Sequence, residues 1–413
     1  MTMQAKIVSF AILSTDTGTK QVRGVGFTPQ VILSLMCGRG ESSDTAGRAT
    51  INRGIGMGIT GPSDQGLASH STDAVGTSVC NVCDSPSLIT VSGAGVEDGA
   101  ADLSSIVSDG FDINITNAFP SDIQVVVLCL GGDSITNLAI GRLAATAATG
   151  AYTGASGLGF TPTFALFASN GRNSNGNLAH SRFSIGAATG SSNQIIAASS
   201  ARNAQTTDIS MSYALDSGTQ AECAAMIDVD SLSDAVGLSS FGSGTINMNC
   251  TVFSFAMAPL YLALAGGNYA VGSFLTQTDT NDIPVTGVGF RPAAVLLISC
   301  NRAESSADTT TAVDQFSIGA FTSSESMALS TRENDATAGA QCSTAIDFDK
   351  CYINLDSAGA VQGLMAWVAM GSDGFTVKMA TADNAANWVG YIAFGPGTAP
   401  AGTTGNLAWI AAA

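Results

Sequence analysis

The chain has 413 residues, enough for about three domains of ordinary size, and 45% of them are hydrophobic, which supplies a core for each. Only 11% are charged, and Gly, Ala, Ser and Thr fill the difference. A net charge of −17 with 15 scattered lysines and arginines argues against binding a phosphate backbone or an anionic membrane surface, since both need clustered cations.

Taken in chain order, the segments repeat. A strand-like run, AKIVSFAILST from Ala5, precedes GVGFTPQVILSLMCGR from Gly24 to Arg39. A glycine-centred strand follows around Gly56, then FDINIT and the closing run DIQVVVLCLGG. The second copy starts with LAIGRLAATA from Leu138 and carries GLGFTPTFALFASNGR from Gly157 to Arg172. FSIGAATG around Gly186, TINMNC and SFAMAPLYLALAGG complete it. The third starts with YAVGSFLTQT from Tyr269 and carries GVGFRPAAVLLISCNR from Gly287 to Arg302. FSIGAFTS around Gly319, FTVKMA and WVGYIAFGPG close it. Phe27, Phe160 and Phe290 lie about 130 residues apart, each followed at fixed spacing by a proline (Pro29, Pro162, Pro292) and an arginine (Arg39, Arg172, Arg302).

The Gly-x-Gly pairs predict tight turns where backbones approach closely. The prolines suit the start or edge of a strand. VILSLM, FALFAS and AVLLIS are short and apolar throughout, as strands buried on both faces are, whereas FDINIT and TINMNC alternate like half-buried strands. Short strands separated by Gly, Ser, Asn and Asp indicate sandwiches or barrels, and no amphipathic helix stands out. The expectation is an all-β chain of three jelly-roll-like β-sandwich modules, 1–132, 133–267 and 268–397, in a pseudo-three-fold or closely packed arrangement, with a tail over 398–413. That tail ends in apolar residues including Trp409 and Ile410, as a docking arm or an added edge strand would.

No catalytic constellation emerges. Gly24-x-Gly26 leads into another strand and lacks the third glycine and helix of a dinucleotide site. Cys80 and Cys83 have zinc-knuckle spacing without a second pair, so no metal or cofactor is expected. His70 and His180 occupy non-equivalent polar stretches and read as solvated residues, which leaves no base for a hydrolase. Asp228/Asp230 and Asp347/Asp349 alternate on strand faces and could hold Ca²⁺, though a turn cap or solvent-facing strand explains them more simply. The run from Phe253 to Ala265 is too short to span a membrane and is broken by Pro259. The N-terminal MTMQAKIVSF lacks the apolar stretch of a signal peptide, and the nine cysteines are expected to be free thiols in a reducing compartment. Arg39, Arg172 and Arg302 are the candidate contact residues, either within their modules or toward a neighbour.

The G-[VL]-G-F-x-P blocks, the central glycine strands and Asp109-Gly110-Phe111 with Asp373-Gly374-Phe375 resemble a module of structural proteins in tailed bacteriophages. The middle copy departs from it, with Ser243-Gly244-Thr245 near the equivalent place. The resemblance implies a virion protein assembled in the host cytoplasm, most simply a capsid decoration (cement) protein binding the major capsid protein or other virion proteins through homo-oligomer or lattice contacts. The alternative it leaves is a tail, fibre or adhesin protein that binds host-surface carbohydrate. Trp367, Trp388 and Trp409 all fall in or after the third module, so no aromatic platform is repeated three times.

Overall fold

A computed structural model describes residues 1–38, 50–72, 79–93, 96–202, 210–216, 222–228, 231–300, 302, 313–334 and 341–397. The tail over 398–413, with Trp409 and Ile410, lies outside them, as does Arg39. No helix occurs among the described residues.

The first module begins with β1 (Gln4–Ile12), β2 (Gly18–Arg23) and β3 (Val31–Met36). It continues through β4 (Thr50–Ile59), β5 (Ser63–Thr72) and β6 (Val79–Ser85). It closes with β7 (Ile89–Ser92), β8 (Glu97–Val107), β9 (Gly110–Asn117) and β10 (Ile123–Gly131). The second contains β11 (Ile135–Arg142), β12 (Gly150–Ala155), β13 (Phe164–Ser169) and β14 (Gly176–Ala179). Then come β15 (Ser181–Gly190), β16 (Asn193–Ala201), β17 (Ser210–Asp216) and β18 (Ala224–Asp228). Its last strands are β19 (Ser231–Gly242), β20 (Thr245–Val252) and β21 (Leu260–Gly266). The third runs through β22 (Asn268–Leu275), β23 (Asp282–Thr286), β24 (Ala294–Ser299), β25 (Val313–Thr322) and β26 (Ser326–Asn334). It ends with β27 (Gln341–Asp347), β28 (Tyr352–Leu355), β29 (Val361–Gly371), β30 (Gly374–Thr381) and β31 (Trp388–Gly395).

These strands form three sheet pairs of one design. In the first, the larger sheet has the order β1-β10-β3-β4-β5-β6 and the smaller β2-β9-β8-β7, all antiparallel. Pairing β1 with β10 and β2 with β9 follows a jelly roll, whereas β3 to β6 and β7 to β9 run on as meanders. The pairs β11-β21-β13-β15-β16-β17 with β12-β20-β19-β18, and β22-β31-β24-β25-β26-β27 with β23-β30-β29-β28, repeat that order. Among the described residues one further strand joins a neighbour's sheet: β14, in the second module, pairs with β6 and extends the first module's larger sheet to seven strands.

The apolar strands are continuous because each larger sheet has a core on both faces. Val31, Leu33 and Leu35 of β3 point to a core shared by all three modules, while Ile32 and Met36 point to the first module's own sandwich core. Phe164, Leu166 and Ala168 against Ala165 and Phe167 divide β13 in the same way, and Leu296 and Ile298 against Val295 and Leu297 divide β24. A strand wet on one face would alternate; these bury every side chain. The smaller sheets lie outside, where β9 and β20 keep their alternation.

Contacts between modules run in a cycle. β11, the first strand of the second module, packs on β4 and β5; β22 packs on β15 and β16; β1 packs on β25. Three larger sheets therefore surround one axial core and close a pseudo-three-fold ring.

Candidate functional site

The repeated motifs have structural explanations. Gly24 and Gly26, Gly157 and Gly159, and Gly287 and Gly289 all adopt positive φ, the left-handed backbone that glycine enters freely. In the outer modules, two of these amides converge on one carboxylate. Gly26 donates to Asp109 at 2.6 Å and Gly289 to Asp373 at 2.6 Å, with Gly24 and Gly287 on the second oxygens. The Asp-Gly-Phe segment thus closes the Gly-x-Gly turn. The middle module, with Ser243 there, joins the same two loops through backbone bonds alone, Leu158 to Gly244 and Gly244 to Phe160, each 3.1 Å. Gly56, Gly186 and Gly319 recur for a different reason. A Cβ at each would fall on the carbonyl of Leu88, Cys223 or Cys351, where the chain crosses to the smaller sheet.

Three residues before those glycines the copies differ. The second and third modules place Phe183 and Phe316 there, and the rings meet edge to face with centroids 5.0 Å apart. The first module places Arg53, whose guanidinium lies 5.7 Å from the Phe183 centroid. Arg53 is 2% exposed and forms a two-pronged ion pair with Asp314 of the third module, which is fully buried; the Nη1–Oδ1 arm is 2.6 Å. Its Nη2 also donates to Ser181 Oγ of the second module at 2.9 Å, and its Nε to Ser69 Oγ at 2.7 Å. One arginine therefore holds all three modules at one end of the axial core. Nearby, Ser71 donates to Glu333 at 2.6 Å, a second tie between the first and third modules.

The opposite end of the axis gathers the junctions between modules. The Ser134 amide donates to the Thr2 carbonyl, the Gly397 amide to Ser134 Oγ, and Asn268 Nδ2 to the Pro396 carbonyl at 2.7 Å. Beneath them Phe164 stacks on Tyr269 at 5.0 Å and meets Phe394 edge to face at 5.5 Å. The boundary between the first and second modules carries further stitches. Arg142 pairs with the buried Asp84 at 2.7 Å and reaches Asn175 on the approach to β14. Burial pushes the Asp84 carboxyl up despite that pairing. Asn170, which stands where the other copies have Cys37 and Cys300, donates to the Cys83 carbonyl across the boundary.

Of the arginines singled out by their spacing, Arg172 and Arg302 are among the described residues. Arg172 Nε and Nη1 donate to the Ser174 and Asn177 carbonyls of its own loop. Arg302 is half-buried, and its carbonyl accepts the Trp388 amide. The structure corrects one expectation. His70 is 6% exposed, its Nε2 2.9 Å from Thr72 Oγ1, and burial lowers its pKa, so it is no solvated surface residue. Trp388 is fully buried in the axial core. Asp347 caps its own turn by accepting the Asp349 amide; Asp230 and the Asp228 side chain lie outside the described residues. Cys83 is buried, with its thiol pushed up to about 12 by burial, and the Cys80 side chain is not among those described. No group of three or more His, Cys, Asp or Glu that could hold a metal ion occurs among the described residues.

Sequence reasoning missed Arg53 and Asp314 because it looked for sameness between copies. The available signal was a difference: one charged residue in a column otherwise occupied by phenylalanine. No protein-family model matches the chain, and no curated protein matches it significantly.

Proposed function

We propose that this chain is a virion structural protein, a capsid decoration protein that seats on the head surface as a single-chain pseudo-trimer and contacts the major capsid protein or other virion proteins. The carrying observation is the axial core that all three modules build jointly, with first strands packed in a cycle on their neighbours. A ring of three like modules presents three like faces, which suits a three-fold position of a lattice. The recurring glycines support the same reading: each of them builds a tight turn or a close backbone approach, which is a scaffold role. A surface poor in charge and rich in Gly, Ser and Thr is cheap to desolvate against other protein.

Quantitative mass spectrometry of purified particles tests this directly. Hundreds of copies per particle, co-sedimenting with heads, support decoration. A handful of copies, or none on heads, overturns it.

A further inference from the structure

We propose that Asn175–Gly176 is a self-modifying site, at which the asparagine side chain deamidates with the help of Arg142 and the product loosens β14 from the first module. Asparagine is among the thermolabile residues. Its side-chain amide is lost when the backbone nitrogen of the next residue reaches Cγ, and a glycine offers that nitrogen with no Cβ in the way. The chain holds two Asn-Gly pairs, Asn170–Gly171 and Asn175–Gly176.

The fold treats the two pairs oppositely. Asn170 is 2% exposed and both ends of its amide are engaged: Nδ2 donates to the Cys83 carbonyl at 2.9 Å, and Oδ1 accepts the Arg172 amide at 3.3 Å. Asn175 is exposed, so ammonia can leave it and water can enter. Its Oδ1 accepts from Arg142 Nη2 at 2.6 Å. Negative charge develops on that oxygen when a nitrogen adds to Cγ, and a fixed donor aimed there lowers the barrier. Arg142 is fixed beforehand, because its Nη1 donates to the buried Asp84 at 2.7 Å and to the Ala258 carbonyl at 3.3 Å. Gly176 has φ 128°, a backbone conformation that glycine enters freely and other residues do not. The turn into β14 therefore demands the same successor that makes the asparagine reactive.

Water is the only co-reactant the chemistry needs. The Gly176 nitrogen forms a bond to Asn175 Cγ, the Cγ–Nδ2 bond breaks, and the Gly176 amide proton leaves with Nδ2 as ammonia. Water then opens the cyclic imide at either of its carbonyls. Opening at Cγ leaves aspartate, whose carboxylate faces Arg142. Opening at the main-chain carbonyl leaves isoaspartate, whose backbone runs through the former side chain and is longer. That extra length falls immediately ahead of β14, a strand of four residues held on β6. A strand so short has few ladder bonds with which to keep its register.

Ageing the full chain at neutral pH, with peptide mass spectrometry and enzymatic detection of isoaspartate, tests the proposal. Conversion is expected at Asn175, and about tenfold or more slower at two built-in controls. Asn170 has the reactive sequence in a buried setting, and Asn173 is exposed in the same loop but precedes Ser174. Asn175 should convert at least as fast in the folded chain as in a synthetic peptide spanning 170–179. Arg142→Gln should slow it about tenfold, and Arg142→Lys, which keeps a cation, should restore part of the rate. In the isoaspartate fraction the backbone amides of β14 and β6 should exchange with deuterium faster than in fresh protein. Conversion slower than in the peptide, equal conversion at Asn173, an unchanged or raised rate in Arg142→Gln, or unaltered exchange in the isoaspartate fraction would each overturn the proposal. The peptide comparison uses the unaltered chain, so it decides the matter even if Arg142→Gln fails to fold.

Discussion

At the junction end of the axial core, Phe164, Tyr269 and Phe394 fill the space between modules by shape alone. At the other end the same core closes around Arg53, Asp314 and Ser181, one residue from each module. Apolar packing is permissive about which module faces which, because hydrophobes of similar volume substitute for one another. A buried ion pair is not: it is satisfied only when the first module's arginine meets the third module's aspartate. The contrast suggests a division of labour in which the aromatic end supplies stability and the polar end specifies the order of modules. Buried polar groups have that second role in some systems and lack it in others.

The largest expected effect comes from breaking the polar end. Arg53→Met leaves Asp314 buried without a counter-ion and should destabilise the fold by about 3–5 kcal/mol in a denaturant titration. The double change Arg53→Phe with Asp314→Ser copies the second module's own residues, Phe183 and Ser181, and should recover most of that loss. If the double variant is as unstable as the single one, the ion pair contributes attraction that an apolar replacement cannot match.

At the aromatic end the change should be milder. Phe164→Leu opens a partial cavity and should cost about 1–2 kcal/mol with an unaltered denaturant slope. A loss larger than that of Arg53→Met would reverse the proposed division.

A third test sits away from the axis, between the two sheets of the first module. The Asp64 carboxylate accepts the Leu88 and Leu103 amides at 2.8 and 2.6 Å, yet burial outweighs those bonds and raises its pKa to about 6. The folded chain then keeps a proton that the unfolded chain, with an ordinary value near 4, releases. Stability should therefore fall as pH rises from about 4 to about 6 and level off above, by an amount reduced by the partial exposure of the group. Asp64→Asn keeps an acceptor and should flatten this part of the pH profile.

The smallest effect is expected at Lys6 and Glu325, which pair at 2.6 Å between the first and third modules but remain partly exposed. Lys6→Ala should cost about 0–1 kcal/mol, less still in high salt.

Much of the architecture was legible in the chain. The three apolar runs announced strands with two buried faces, and the Gly-x-Gly turns lie where the spacing put them. What the pattern could not show was where one copy reaches into another. β14 is four residues long, too short to carry a periodicity, and its partner β6 belongs to another module. His70 looked polar from its neighbours, but the flanking Ser69 and Ser71 are themselves buried. Arg172 was legible as a recurring residue, whereas the Ser174 and Asn177 carbonyls that hold it show only in the fold.

The junctions have a practical consequence for handling the molecule. Thr2 and Gly397 both bond to Ser134, so the two ends of the described chain leave from one side of the ring. A fluorescent label or affinity tag fused ahead of Met1 would emerge on that side, away from the rim around Arg53. Orienting the protein on a sensor by such a tag would therefore present one chosen face, and exchanging which face is presented would require opening the chain elsewhere.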